Sequence, residues 1–250
     1  MNMYEFACIV DRISLDLVIS QLYVRIRNLP WSFVPMHQEH SIEQSRILTR
    51  KEISEVLGDL RRKARSKNTR QNLVIFSLST FCGLRVSEIV GLSLANVKLN
   101  REEPCIYVPK SLGKGKKKRT VPIWSASTIA DLRAWKAERE DMGASTSDPL
   151  VCSLAAGLNS KTGLPSLGNA LITRNAQARW KSSIKVLGTE RVADLSIHSG
   201  RHSFCSHSLD KGVSLACVRD AAGHASISTT SIYLHKVGNI ERNRNALDFE

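Results

Sequence analysis

Residues 222–235 read AGHASISTTSIYLH, a stretch that carries two chemically versatile side chains, His224 and Tyr233. Gly223 is typical of a residue that ends a helix, and Ser226 can cap the next one, so we expect His224 in the corner between two helices. Tyr233 is predicted to lie about two turns into the second helix. Taken alone, a tyrosine there is more often a packing residue with a wet hydroxyl than a nucleophile.

A second stretch, residues 198–204, reads HSGRHSF. His198 and Arg201 are three residues apart, so they share one face of a helical turn. An imidazole beside a bidentate guanidinium suits a phosphate oxygen. Because such pairs are frequent by chance, an exposed helix start is the ordinary interpretation when the pair stands alone.

A third stretch, residues 83–89, reads GLRVSEI. Arg85 follows a glycine that can end a helix, and Glu88 lies one turn on, where it can orient the guanidinium. A surface ion pair is the simplest interpretation. However, the neighbours are apolar, which predicts a partly buried arginine that must be paired: they are Leu84, Val86 and Ile89.

A fourth stretch, residues 112–119, reads LGKGKKKR and lies between two runs rich in β-forming residues. Its glycine spacing is not that of a P-loop. A basic run is usually a solvated patch, but the tip of a hairpin is well placed to reach a DNA groove. The residues predicted to contact DNA are Lys110, Lys116, Lys117, Lys118 and Arg119.

The composition favours a nucleic-acid partner. The 250 residues carry a formal net charge of +13, and 42% of them are hydrophobic. The hydrophobic fraction excludes a disordered or fibrous chain, while the charge attracts polyanions, with nucleic acid ahead of membranes. Charges interrupt the apolar residues 6–26, so we expect neither a membrane span nor a secretory signal. The six cysteines are singly spaced, which predicts core residues in a reducing cytoplasm.

The periodicity of the chain predicts an α+β fold, mainly helical with a small antiparallel sheet. Thr49 and Glu52 form a capping-box pattern at the start of a helix that runs to Leu60. Residues 1–42 predict a short helix and linker, and residues 43–250 a folded domain. Further helices are predicted over 70–82, 85–95, 125–141, 169–186, 200–211, 214–222 and 226–234, and hairpin strands over 105–108 and 120–123.

Together the four stretches resemble the catalytic domain of the tyrosine recombinases, the phage-integrase and Xer-like family, over about residues 48–235. That family's signature is an arginine, a hairpin lysine, a His-x-x-Arg motif, a second His or Trp, and a nucleophilic tyrosine. This sequence has a matching residue for each, in order. The resemblance implies that family's fold, mainly helical with a small antiparallel sheet. It also implies site-specific DNA strand exchange with no metal or nucleotide cofactor.

The resemblance assigns roles to the matching residues. Tyr233 would attack the scissile phosphorus and form a 3′-phosphotyrosyl link. Arg85 and Arg201 would hold the non-bridging oxygens as charge builds on phosphorus. Glu88 is interpreted as the residue that orients Arg85.

Proton transfers fall to the remaining residues of the signature. Lys114 would protonate the leaving 5′-oxygen, with Lys116 of the same loop as the alternative. His198 would assist proton transfer at the tyrosine, and His224 would hydrogen-bond the phosphate.

Partners also follow from the resemblance: double-stranded DNA, a homo-oligomer (a tetramer on two duplexes), and no membrane. An accessory directionality factor is a further candidate partner. The expected location is cytoplasmic, with the nucleoid. Two features depart from the family pattern. Residues 1–42 are too short for the helical domain that usually precedes the catalytic one, and Gly200 stands where leucine is usual.

Three alternatives stay open at this point. The first is a truncated, non-catalytic DNA-binding relative of the same fold. The second is a relaxing topoisomerase of the tyrosine type, which shares the chemistry. The third is a zinc hydrolase that uses His198, His202 and His207, although no glutamate follows a histidine as in the zincin pattern.

Overall fold

The computed structural model describes residues 43–113, 117–157 and 167–234. The predicted N-terminal segment 1–42 lies outside these residues, as does Cys8. The described chain is mainly helical and contains a small antiparallel sheet, as the sequence predicts. No helix in these ranges is both long and apolar enough to cross a bilayer.

The described residues form nine α-helices and three β-strands. The helices are α1 (Arg50–Arg62), α2 (Lys67–Thr80), α3 (Val86–Gly91), α4 (Ala126–Asp141), α5 (Thr173–Ser183), α6 (Thr189–Asp194), α7 (Ile197–Asp210), α8 (Leu215–Ala222) and α9 (Ser228–Ser231). The strands are β1 (Val97–Lys98), β2 (Cys105–Val108) and β3 (Arg119–Pro122). Short 3₁₀ turns lie at Gln44–Arg46, Leu94–Asn96 and Lys185–Leu187.

Helix α1 begins at the capping box that the sequence predicts. The Thr49 hydroxyl accepts from the backbone N–H of Glu52 at 3.2 Å, and the Glu52 carboxylate accepts from the Thr49 N–H at 2.7 Å. These two bonds satisfy N–H groups that have no partner within the helix. The apolar residues of α1 repeat at helical spacing and are buried on one face: Ile53, Val56, Leu57 and Leu60.

Helix α2 is the centre of the core, because it packs against α1, α4, α5 and α7. It ends at Thr80, two residues before the predicted end. Gly83 then takes a left-handed conformation (φ +62°), where a Cβ would overlap the ring of Phe204 on α7. A glycine is therefore required here, and it brings the chain that carries Arg85 against α7.

The sheet is antiparallel in the order β1-β2-β3. Strand β2 matches the prediction, whereas β3 begins one residue earlier than predicted, with Arg119 paired to Val108. Beyond the strands Gly113 and Lys117 lie close together, since a Cβ on Gly113 would overlap the carbonyl of Lys117. Strand β1 was not predicted, because two residues are too few for an alternating pattern.

The segment around Tyr233 differs from the prediction. A helix was expected over residues 226–234, but α9 is four residues long, and Tyr233 lies just after it. The expectation of two helical turns before Tyr233 is therefore wrong. Serine and threonine hydroxyls compete for the backbone here: Ser226 accepts from the Ser228 N–H, and Ser231 donates to the Ser228 carbonyl.

Other bounds shift for local reasons. Helix α5 begins at Thr173 rather than at residue 169, because residue 170 forms a β-bridge with Cys152. Helix α7 begins at Ile197, three residues before its predicted start, and α6 was not predicted. The described cysteines are buried as expected, except that Cys217 is exposed.

Gly200 allows α7 to approach α2 closely. A Cβ on Gly200 would lie 2.6 Å from the Ser79 hydroxyl and 2.9 Å from that of Thr80. The same Ser79 hydroxyl accepts a hydrogen bond from the Trp180 indole at 2.8 Å. Helices α7 and α2 are therefore close enough at this point that only glycine fits at position 200.

Gly200→Leu, which restores the usual residue of the family, is expected to destabilise the fold by about 1–3 kcal/mol through overpacking. Urea denaturation of purified protein measures the change. Gly58→Leu is the matched control, because Gly58 is an exposed residue of α1 with open space around it. That variant is expected to be neutral or stabilising, since glycine is a poor helix former. Equal stability of Gly200→Leu and the parent would contradict the packing argument.

Candidate active site

The corner that contains His224 is built on the carboxyl end of α8. Gly223 ends the helix in the left-handed conformation, as predicted (φ 67°, ψ 45°). The carbonyls at this end have no partners within the helix and carry its negative dipole. Arginine side chains bind them: Arg119 Nε donates to Ala221 at 3.0 Å, and Arg85 Nη2 donates to Gly223 at 2.8 Å.

Glu88 links the two arginines. Its carboxylate is fully buried and accepts two bonds from the guanidinium of Arg119, at 2.7 and 2.8 Å. It also accepts from Arg85, through the backbone N–H at 2.8 Å and Nη1 at 3.2 Å. Burial pushes the pKa of Glu88 up, but the bonds and charge of Arg119, with those of Arg85, outweigh it and lower the pKa.

The structure refines the predictions for Arg85, Glu88 and Arg119. Arg85 is half-buried and paired, as the sequence suggests, and Glu88 contacts it. Arg119, predicted to contact DNA, donates its guanidinium nitrogens to Glu88 and Ala221. These bonds hold the site together, and the contact of Arg119 with DNA stays a prediction. The strand alternation carried this signal, because it places Arg119 on the side of the buried Val121.

Arg201 lies in α7 with 6% of its surface exposed. Nη1 donates to the carbonyl of Gly83, and within the described residues Nη2 is buried without a hydrogen-bond partner. Burial, followed by the charge of Arg85, lowers the pKa of Arg201 to about 10. A guanidinium held this way carries an unused donor, which a phosphate oxygen could accept.

His224 is fixed by its neighbours on both sides. Its Nδ1 lies 2.8 Å from the hydroxyl of the buried Thr230, and its ring stacks parallel to that of Tyr233 with centroids 6.5 Å apart. Burial, followed by the charges of Arg201 and Arg85, lowers the pKa of His224 to about 4. The imidazole is therefore neutral at pH 7 and can donate a hydrogen bond without adding charge.

Tyr233 joins the same cluster, with 3% of its surface exposed. Its hydroxyl lies 2.7 Å from Nδ1 of His202, and the thiol of Cys205 is near enough to influence the pKa of the tyrosine. Burial raises the pKa of Tyr233 above its ordinary value. Neither His202 nor Cys205 was predicted to contact the tyrosine, although both belong to α7, four residues and seven residues after His198.

His198, predicted to act at the tyrosine, is the second residue of α7 and is exposed. It shares a helix face with Arg201 and His202, in keeping with the predicted spacing. Among the described residues, the histidine that bonds the Tyr233 hydroxyl is His202 rather than His198. The role of His198 stays a prediction.

A cavity of about 760 Å³ opens beside Arg85 and His224. Lys117 and Lys118 line it and are exposed. Asp220, the one acidic residue among the described lining residues, is paired with Arg219 at 2.7 Å. The cavity therefore attracts anions. Lys110 is also exposed, whereas Lys114 and Lys116 lie outside the described residues.

The histidines of the zinc alternative do not gather at one point. Nδ1 of His202 lies beside Tyr233, and Nε2 of His207 lies 2.7 Å from the Leu48 carbonyl. The ranges that the structure describes contain no group of three metal-binding side chains.

Known proteins match this chain closely enough to identify its family. Residues 46–239 match the Phage integrase family. Tyrosine recombinase XerC of Ralstonia pickettii is 35% identical over 158 residues, which cover 61% of this chain and 45% of the relative. XerC of Corynebacterium glutamicum is 33% identical over 181 residues, 71% of this chain and 52% of the relative. This chain thus spans about half the length of the relatives it matches.

Solved structures agree with the sequence matches. XerH recombinase, in a pre-cleavage complex with its difH substrate, superposes with a TM-score of 0.61 at 26% identity, over 81% of this chain and 53% of XerH. XerA recombinase superposes with a TM-score of 0.59 at 22% identity, over 83% of this chain and 64% of XerA, and supports the fold alone. The predicted fold class is confirmed, and the chain belongs to the phage integrase family.

Proposed function

We propose that this chain cleaves and rejoins DNA strands at specific sites through a covalent 3′-phosphotyrosyl intermediate on Tyr233. The observation that carries the proposal is the single cluster formed by Tyr233, Arg201, His224 and Arg85. A nucleophilic hydroxyl and two guanidinium groups are the parts that phosphoryl transfer without a metal requires. The sequence matches to tyrosine recombinases support the same conclusion.

Arg85 and Arg201 would bind the two non-bridging oxygens of the scissile phosphate. Arg201 has a buried donor with no partner among the described residues, and Arg85 lines the anion-attracting cavity. Because both groups are held before DNA arrives, they stabilise developing charge without reorganisation. Neutral His224 would add a hydrogen bond to the same phosphate.

The leaving 5′-oxygen needs a proton. Lys114 is the proposed donor, with Lys116 as the alternative, and both belong to the loop between Gly113 and Lys117. The exposed Lys110, Lys117 and Lys118 would contact the DNA backbone. The expected role of His198, to assist proton transfer at Tyr233, stays a proposal on the strength of its spacing from Arg201.

Double-stranded DNA is the proposed partner. The net charge of +13 and the cationic cavity support it, and the XerH structure contains that enzyme's own DNA substrate. A homo-oligomer on two duplexes, with an accessory factor that sets direction, would complete strand exchange. The cytoplasm, at the nucleoid, is the corresponding location.

The burial of Tyr233 favours a second candidate, a non-catalytic DNA-binding domain. With 3% of the side chain exposed, covering residues must move before the hydroxyl can reach phosphorus. Salt-sensitive DNA binding without any covalent product would favour this candidate.

A nicked suicide duplex tests the proposal. After cleavage the short strand between the cleavage site and the nick diffuses away, so religation is prevented and the covalent complex accumulates. The parent is expected to form a DNA adduct that resists denaturing electrophoresis, and Tyr233→Phe is expected to form none, since the nucleophilic oxygen is gone. A pool of nicked duplexes of fully randomised sequence serves as substrate, so that the target site is represented in it.

Tyr107→Phe is the matched control, because Tyr107 is a partly exposed tyrosine of β2 outside the cluster. It is expected to trap as much adduct as the parent. Equal trapping by Tyr233→Phe and the parent would overturn the assignment of Tyr233.

A further inference from the structure

His202 contacts the proposed nucleophile directly. Its Nδ1 lies 2.7 Å from the Tyr233 hydroxyl, with the rings tilted by 39° and centroids 6.0 Å apart. Both side chains are held: His202 belongs to the long helix α7, and Tyr233 is packed into the core. The contact is thus between an imidazole nitrogen and the atom that would form the bond to phosphorus.

Attack by Tyr233 requires an acceptor for its proton. The hydroxyl is almost fully buried, so a free phenolate would lose the solvation that stabilises it in water. The proton must therefore leave as the bond to phosphorus forms, and it must pass to a group in contact with the oxygen.

The other neighbours of the hydroxyl are poor acceptors. Burial raises the pKa of the Cys205 thiol to about 11, so its thiolate is not available at pH 7. The Nδ1 of His224 is beside Thr230, and its low pKa makes it a weak base. His198 is exposed, and within the described residues it is not bonded to the tyrosine.

We propose that His202 is a further catalytic residue, which accepts the phenolic proton of Tyr233 on Nδ1 during strand cleavage. The Tyr233 oxygen forms its bond to phosphorus while the bond from phosphorus to the 5′-oxygen breaks. The phenolic proton moves to Nδ1, and the 5′-oxygen takes its proton from the hairpin lysine. In religation His202 returns the proton to the departing tyrosine.

This inference rests on the proposed cleavage chemistry, and His202→Asn tests it. The amide of asparagine occupies the position of Nδ1 and can hydrogen-bond the hydroxyl, but it does not take a proton. Single-turnover cleavage of the nicked duplex is expected to slow by about 10²- to 10⁴-fold, the usual contribution of a general base. DNA affinity and the thermal unfolding midpoint are expected to match those of the parent.

A second substrate separates the two proton transfers. Sulfur in place of the bridging 5′-oxygen leaves as a thiolate, which needs no proton. The defect of His202→Asn is expected to be the same with sulfur as with oxygen, because the tyrosine still has to be deprotonated. His202→Gln provides the same comparison if the asparagine variant does not fold.

Several results would overturn the role of His202. They are cleavage by His202→Asn within threefold of the parent, cleavage faster than the parent, and recovery of its rate with the sulfur substrate. A loss seen with His198→Asn but not with His202→Asn would return the proton transfer to His198. Failure of the parent to form any adduct would instead remove the proposed function, and this inference with it.

Discussion

Arg201→Met is expected to lower the rate of strand cleavage by about 10²- to 10³-fold, the usual effect of removing one preorganised donor from a charged transition state. The free energy of unfolding is expected to change by less than about 1 kcal/mol, because two effects offset each other. The variant leaves the Gly83 carbonyl without its donor. It also removes a buried cation that burial and the nearby Arg85 disfavour.

Single-turnover cleavage of the nicked duplex and urea denaturation measure the two quantities. Arg139→Met is the matched control, because Arg139 is equally buried but lies in α4, where it donates to the Pro149 carbonyl. That variant is expected to cleave at the rate of the parent, corrected for the fraction folded. Full activity of Arg201→Met would show that its guanidinium does not bind the phosphate.

Glu88→Gln is expected to lower the free energy of unfolding by about 3–5 kcal/mol, as for other buried ion pairs that lose one partner. The carboxylate has no exposed surface and joins Arg85 and Arg119. An uncharged amide keeps one acceptor oxygen and presents its NH₂ group to a guanidinium. Cleavage should also fall, since Arg85 loses a support.

The difference in free energy of unfolding between the parent and Glu88→Gln is expected to depend on pH. The pKa of Glu88 is lower in the folded protein than its ordinary value. Its contribution is therefore present above the unfolded pKa of about 4.3 and is lost as the pH falls through the folded value. Urea denaturation at pH 7 and at acidic pH should show parent and variant converging in acid.

Glu43→Gln is the control for an exposed ion pair. Glu43 and Arg46 lie 3.3 Å apart, and more than half of each side chain is exposed. Its replacement is expected to change the free energy of unfolding by less than about 0.5 kcal/mol. A loss of that small size for Glu88→Gln as well would contradict the structural role of the buried carboxylate.

Many structural features of this domain depend on local sequence and could be predicted from it. The Thr49 capping box, the hairpin strand Cys105–Val108 and the left-handed Gly223 each depend on residues within one turn or one strand. The order of the four stretches along the chain also pointed to the family. Each stretch is common by itself, but the combination in this order is specific.

Tertiary contacts decided the rest. The short α9 and the burial of Tyr233 depend on packing against helices α7 and α8. These helices precede Tyr233 in the sequence, and local patterns do not show how they pack. Nothing in the spacing of HSGRHSF shows that His202, rather than His198, meets the tyrosine. Likewise, strand alternation places Arg119 on the side of Val121, but it does not show that the guanidinium reaches Glu88.

The arginines at the end of α8 determine how much charge the site would offer to a phosphodiester. Carbonyl oxygens, which carry no net charge, accept hydrogen bonds from Arg85 and Arg119. Glu88 supplies one negative charge against the three guanidinium groups of Arg85, Arg119 and Arg201. These four side chains retain two positive charges. A phosphodiester brings one negative charge, so bound substrate neutralises only part of the charge of the cluster. The phosphate gains about one more negative charge at pentacoordinate phosphorus, so the charge of the cluster matches that of the transition state.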